Sequence, residues 1–125
     1  MDILLDTHVL LWWLSDDPRL SAKARNLIAD PANAITVSAA TAWEIAIKQG
    51  LGKLMFDGDL EQAVREQDFQ MLPITFAHTA QIGQLPEIHR DPFDRMLVAQ
   101  ARSENLALLS ADPHVARYPV NVIEP

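Results

Sequence analysis

The chain has 125 residues, 49% of them hydrophobic, no cysteine, and a formal net charge of −7 from 10 basic and 17 acidic side chains. That length suffices for one domain with a buried core, the apolar fraction argues against disorder, and the lack of cysteine excludes disulfides, thiolate zinc sites and cysteine nucleophiles. The acidic balance argues against broad, non-specific duplex binding, which needs a basic face, but it is compatible with a nucleic-acid enzyme whose metal ions neutralise an acidic pocket, and with a basic protein partner.

Short apolar runs alternate with helical stretches, the pattern of a parallel α/β sheet. Residues 2–6 read as a buried strand entered directly from Met1. A signal peptide would carry a basic start and a longer apolar stretch, so a cytoplasmic protein is expected. No run of about 18 apolar residues follows, so no membrane span is expected. Residues 7–14 read as a short helix closed by the turn cluster Ser15-Asp16-Asp17-Pro18. Ser21 is placed to cap a helix running to about Ala29, with Asp30-Pro31 as its breaker. Ala34 to Val37 reads as a second strand, and Ser38 as the cap of a helix through Gln49 that stops at Gly50 and Gly52. Asp57 or Asp59 opens a polar-faced helix to about Gln67, and Phe69 to Leu72 is a weakly signalled strand ended by Pro73. Residues 76–84 suggest a short helix broken at Leu85-Pro86. Asp91-Pro92 starts a strong helix, Leu106 to Leu109 is a further strand, Pro113 to Arg117 a single turn, and Val120 to Ile123 a last strand.

Carboxylates stand where strands end or helices begin: Asp6, Glu44, Asp94 with Asp91 one turn earlier, and Asp112. Ligands of open parallel sheets bind at the carboxyl ends of the strands, so acids distant in sequence can meet there. Sharing a pocket, they would repel unless joined by a cation, and hard oxygen ligands favour Mg²⁺ or Mn²⁺. Each acid also has a purely structural explanation. Asp6, Asp91 and Asp112 suit helix caps, and Asp94 suits the positive end of a helix dipole. Glu44 lies among Trp43, Ile45, Ala46 and Ile47, on a helix that reads as buried on most sides, with Lys48 four residues on. It is either a narrow solvated stripe paired with Lys48 or a carboxylate carried on a rigid mount. Arg90 and Arg95 flank the Asp91–Asp94 pair and are candidates to hold phosphate. The four histidines, His8, His78, His89 and His114, make no metal-binding spacing and read mostly as surface or loop residues. Trp12 and Trp13 cannot both face one side of a helix, so one is expected at a protein contact.

Four segments, taken together, carry a resemblance. They are Leu4-Leu5-Asp6-Thr7-His8-Val9-Leu10-Leu11-Trp12, Trp43-Glu44-Ile45-Ala46-Ile47-Lys48, the stretch His89-Arg90-Asp91-Pro92-Phe93-Asp94-Arg95 with the helix beyond it to Ala101, and Leu108-Leu109-Ser110-Ala111-Asp112. In that order they resemble the four acidic segments of PIN-domain nucleases. The third, the most specific, suggests the VapC-type toxins of bacterial toxin–antitoxin pairs. The resemblance implies one PIN domain over residues 1–125, a Rossmann-like three-layer α/β/α sandwich with a central parallel sheet of four or five strands. It further implies Mg²⁺- or Mn²⁺-dependent RNA cleavage, inhibition by a cognate antitoxin, and a homodimer. By position, Asp6 and Asp94 would be the main metal ligands, with Glu44 and Asp112 completing the acidic site. Asp91, Thr7 and Ser110 would be accessory, Asp91 through positioning or capping. His8 stands where many relatives carry a small hydroxyl residue, and Ser110 where many carry threonine.

Two other readings compete. A phospho-acceptor receiver domain shares the size, acidity and parallel sheet, but needs an acidic pair after the first strand, an acceptor Asp after a middle strand and a late Lys, none of which is present. A non-catalytic PIN-like binding module would have less need of all four acids.

Overall fold

Residues 1–125 are described throughout by the computed structural model. In chain order the elements are β1 (Asp2–Leu5), α1 (Thr7–Leu14), α2 (Ala22–Ala29), β2 (Ala34–Ser38), α3 (Ala39–Gly50), α4 (Leu60–Glu66), β3 (Gln70–Leu72), α5 (Phe76–Ile82), α6 (Pro92–Glu104), β4 (Ala107–Leu109), a 3₁₀ turn (Val115–Arg117) and β5 (Val122–Ile123). The five strands form one sheet in the order β3-β2-β1-β4-β5, and every pair is parallel. Six α-helices flank it, which is the α/β sandwich expected, with the larger of the two strand counts. None of the helices is long and apolar enough to cross a membrane.

A parallel sheet must be covered on both faces, and successive side chains on a strand point to opposite ones. β1 meets both conditions with three consecutive fully buried residues. Ile3 and Leu5 enter one apolar cluster with Val9 and Leu10 of α1, Ala24 and Ile28 of α2, and Val64 of α4. Leu4 enters the other, with Ala40 of α3, Met96 to Ala99 and Ala101 of α6, and Leu108. Because β2 and β4 lie on opposite sides of β1, the chain's switch point falls beside β1, and the loops leaving β1 and β4 open a crevice at the carboxyl edge.

The helix starts match their expected caps. Asp6, Ser21, Ser38, Asp59 and Asp91 each accept a hydrogen bond from a first-turn amide. The ends differ more. α3 runs through Gly50, and β5 begins at Val122 rather than Val120. α6 ends on Asn105 in the left-handed conformation, φ 55°, a stop that asparagine tolerates.

One buried polar contact ties the β2–α3 junction to α6 on one face of the sheet. The Ser38 hydroxyl at the head of α3 donates to Gln100 Oε1 of α6 at 2.5 Å, and Gln100 Nε2 donates to the Pro73 carbonyl at 3.4 Å. Gln100 is completely buried. Gln100→Leu strands both partners without a substitute. It is expected to lower the unfolding free energy by about 1–3 kcal/mol in urea denaturation; an unchanged midpoint would mean the contact contributes nothing to stability.

Candidate active site

Asp6 follows the last residue of β1, where the chain turns into α1. Its amide donates to the Leu109 carbonyl at 3.1 Å, which locks it beside the end of β4. One carboxylate oxygen caps α1 by accepting from Val9 N–H at 2.8 Å, and the other accepts from the Ser110 hydroxyl at 2.5 Å. Asp6 is 5% exposed. Burial pushes its pKa up, against the Ser110 and Val9 hydrogen bonds that hold it down, while the charge of Glu44 adds to the rise.

Glu44 lies inside the protein, and its helix is turned the opposite way from what its neighbours suggest. The acid is 2% exposed, whereas Trp43 is 50% and Ile47 39% exposed. The solvated-stripe reading of Glu44 is therefore wrong. The stripe that contains the acid faces the sheet edge, and much of the apolar surface faces outward. Two groups hold the carboxylate. The Thr7 hydroxyl donates to Oε1 at 2.6 Å and Lys48 Nζ pairs with Oε2 at 2.5 Å. The hydrogen bond to Glu44 raises the pKa of Lys48, with Asp91 and Asp94 contributing further negative charge. The hydroxyl that positions an acid after β1 thus comes from Thr7, while His8 is exposed.

Asp91 caps α6, its Oδ1 accepting from the amides of Phe93 and Asp94 at 2.9 and 3.0 Å. Pro92 occupies the first turn, where it has no amide to leave unpaired. Asp94, one turn in, faces Asp112 of the loop after β4. Burial pushes the Asp94 carboxyl from its ordinary 3.8 to about 8, helped by the charge of Asp91 and by a hydrogen bond shared with Asp112. Burial would also raise Asp112, but the His114 amide, the Asp94 carboxyl and the His114 ring outweigh it and pull Asp112 down. Burial thus biases Asp94 toward its neutral form, while its neighbours bias Asp112 toward the carboxylate.

His89, read from sequence as a loop residue, stands against this pair. Its Nε2 is 3.2 Å from Asp94 Oδ2, and ligand atoms of His89, Asp94 and Asp112 lie within 4.8 Å of one another. His78 is also a correction: it is buried and completes a capping box at the start of α5. Arg95 is not free to grip phosphate. Its guanidinium donates to the carbonyls of Pro86 and Ile82 and to the Tyr118 hydroxyl. Arg90 and Arg95 line a neighbouring cavity with Glu87, Ile88 and His89, not the acidic one. Of the tryptophans, Trp12 sits under the Arg19 guanidinium and Trp13 packs on Phe69, so the exposed indole belongs to Trp43 instead. His89 lay within a quoted segment, but Tyr118 carried no spacing signal at all.

Asp6, Glu44, Asp91, Asp94 and Asp112 line one open cleft of about 440 Å³ together with Lys48, and of these Lys48 alone is cationic. All the acids singled out in the sequence are thus brought together. The donor set is hard oxygen with surplus negative charge, which fits Mg²⁺ or Mn²⁺ by chemistry and by charge. The fold and the cleft define an acid-centred, doubly wound α/β sandwich. The PIN domain model matches residues 3–121, and the chain belongs to that family; the receiver-domain alternative falls with that result.

Solved structures show the same fold over essentially the whole length. The chain is similar to a protein of VapBC2 from Rickettsia felis bound to a DNA fragment from their promoter, at 18% identity and TM-score 0.70, covering 100% of this chain and 99% of that one. It is similar to a chain of a toxin–antitoxin complex from Klebsiella pneumoniae at 23% identity and TM-score 0.64, covering 97% and 95%. A chain of FitAcB from Neisseria gonorrhoeae matches at 20% identity and TM-score 0.62, covering 97% and 96%. None of the curated proteins matches at a significant level.

The raised Asp94 pKa has a stability consequence with a definite sign. Between its ordinary value of 3.8 and about 8 the folded protein keeps a proton that the unfolded chain releases, so stability falls as pH rises through that window. The depressed Asp112 acts only below the ordinary carboxylate range, outside the window. In EDTA, the urea midpoint is expected to drop between about pH 5 and pH 8, and Asp94→Asn should reduce that drop and exceed the parent at the higher pH. Parallel curves for parent and variant would show that Asp94 ionises freely in the folded state.

Proposed function

We propose that this chain is a divalent-metal-dependent ribonuclease of the VapC type, the toxin of a toxin–antitoxin pair, acting in the cytoplasm. The observation that carries this reading is the convergence of Asp6, Glu44, Asp94 and Asp112 on one cleft, with more negative charge than the neighbouring side chains neutralise. Asp6 and Asp94 would hold Mg²⁺ or Mn²⁺. Such a cation, when bound, polarises a phosphate and lowers the pKa of a bound water.

The chain's own residues supply the rest. Ser110 and the Val9 amide in the first turn of α1 fix the Asp6 carboxylate. Thr7 and Lys48 fix Glu44, which orients the attacking water or helps hold a second metal ion. Asp112, held toward its ionised form by the His114 amide and ring and by the Asp94 carboxyl, completes the acidic set. Asp91 positions Asp94 through the α6 cap. Attack of water in line with the leaving oxygen then forms one P–O bond and breaks another, splitting the RNA backbone. Arg90, exposed beside the cleft, is the remaining arginine for a substrate phosphate.

The likeness in fold to chains of VapBC and toxin–antitoxin complexes supports a cognate antitoxin as partner. The chain's net charge of −7 favours basic segments in that partner. We propose a homodimer as well, supported by the outward apolar face of α3, where Trp43, Ile47 and Leu51 are all exposed.

On single-stranded RNA, Asp6→Asn and Asp94→Asn are each expected to cut the Mg²⁺- or Mn²⁺-dependent cleavage rate by on the order of 100-fold or more while keeping the parent circular dichroism. A folded variant that cuts at the parent rate would sink the assignment. Expression without a partner should arrest growth, and Asp6→Asn should abolish the arrest. No arrest in either case would favour the non-catalytic binding module.

A further inference from the structure

The hydrogen bonds behind Asp94 run through His89 and Tyr118 to Arg95. Arg95 can only donate, and its Nη1 reaches the Tyr118 oxygen at 3.0 Å, so the Tyr118 oxygen accepts there. The single phenolic proton must then go elsewhere. His89 Nδ1 lies 2.8 Å from it, while the His89 carbonyl is at 3.5 Å. Placed on the shorter of these two contacts, the proton makes Nδ1 an acceptor. The imidazole proton therefore sits on Nε2, which points at Asp94 Oδ2 at 3.2 Å. The ring has little freedom to do otherwise. Tyr118 is 3% exposed within the core cluster beneath α6, and His114 stacks on His89 at 5.2 Å with planes 5° apart.

The proximity of His89 to Asp94 and Asp112 also admits a different role, that of a metal ligand. In the tautomer that the shorter Tyr118 contact favours, one nitrogen accepts from Tyr118 and the other carries a proton, which leaves no bare lone pair for a cation.

We propose that His89, oriented by Arg95 and Tyr118, is a positioning residue for Asp94: it clamps Oδ2 and leaves the other carboxylate oxygen aimed into the cleft as the cation ligand. This rests on the metal-dependent reading above. Removing a partner that orients a ligating side chain in this way commonly weakens metal affinity by about 10–100-fold. Arg95, which the sequence suggested as a phosphate clamp, acts in this arrangement three hydrogen bonds away from the acid.

The test uses Mn²⁺ alone, without RNA, and reads its binding to the full chain by calorimetry or electron paramagnetic resonance. His89→Ala is expected to weaken Mn²⁺ binding by about 10–100-fold, and His89→Gln, whose amide can donate to Asp94 in the imidazole's place, to recover most of that loss. Tyr118→Phe removes one oxygen and keeps the packed ring; at fixed pH, nitrogen-15 spectra should show His89 protonated on Nε2 in the parent and a mixture of tautomers in this variant. Parent-like Mn²⁺ affinity in a folded His89→Ala protein overturns the proposal. So does a His89→Gln loss as deep as that of alanine with an altered Mn²⁺-over-Mg²⁺ preference, which would make the imidazole a direct ligand. A parent that binds no Mn²⁺ removes the metal reading and this proposal together. A parent that binds it, with His89→Ala unaffected, removes this proposal alone.

Discussion

Carboxylates gathered out of water repel one another, and the carboxyl edge of this sheet is arranged around that repulsion. Two unit charges about 4 Å apart at an effective dielectric of about 20 interact by about 4 kcal/mol, so several acids in one cleft cannot be left uncompensated. The fold answers with fixed donors. The first turns of α1 and α6 present amides to Asp6 and Asp91, hydroxyls from Ser110 and Thr7 reach Asp6 and Glu44, and Lys48 lies against Glu44. What remains falls on Asp94 and Asp112: burial and the charge of Asp91 push Asp94 toward its neutral form, while His114 and Asp94 hold Asp112 toward the carboxylate. A divalent cation is the natural replacement for a proton on Asp94, since its charge would let both groups ionise.

That arrangement depends on the sheet beneath it. The donors and acids come from loops after β1 and β4, from the first turns of α1 and α6 and from the body of α3, places that stay in register only if β1 is held between β2 and β4. The two apolar clusters do this by taking alternate residues of β1 to opposite faces. The cost of placing an acid inward on α3 shows on its other side, where Trp43 and Ile47 are turned to solvent. An amphipathic helix with a carboxylate on its inner stripe and indole on its outer one is unusual for an isolated surface helix and suited to one that meets a partner.

Much of this was legible from residue order. The runs Ile3-Leu4-Leu5 and Leu108-Leu109 marked the central strands because only a fully covered strand tolerates continuous apolar residues. Caps at Asp6, Ser38 and Asp91 were readable from residue type and position. The orientation of α3 was not, because helical periodicity reveals stripes without saying which one faces inward when both contain apolar residues. Arg95 misled for a related reason. Its neighbours in sequence are acids, but the loop before α6 folds back to give it carbonyl partners and Tyr118. His89 and Tyr118 are 29 positions apart, and nothing local to either indicates that they meet.

The overlap between capping and chemistry looks at first like a difficulty, since an acid that caps a helix needs no other purpose. It also makes charge and fold separable. Asparagine caps about as well as aspartate, because a single oxygen accepts from the first-turn amides. At position 6 the amide nitrogen of asparagine would meet Ser110 Oγ, which already accepts from Asp112 N–H at 3.1 Å and retains a second lone pair. The serine hydroxyl can turn from donor to acceptor, so the hydrogen bond survives with its direction reversed. At position 94 the oxygen of asparagine can still accept from His89. Each change keeps the oxygen that its neighbours use; each removes one negative charge and a ligand oxygen. The structural role of these residues and any catalytic one can therefore be told apart by a substitution that preserves every hydrogen bond the cap requires.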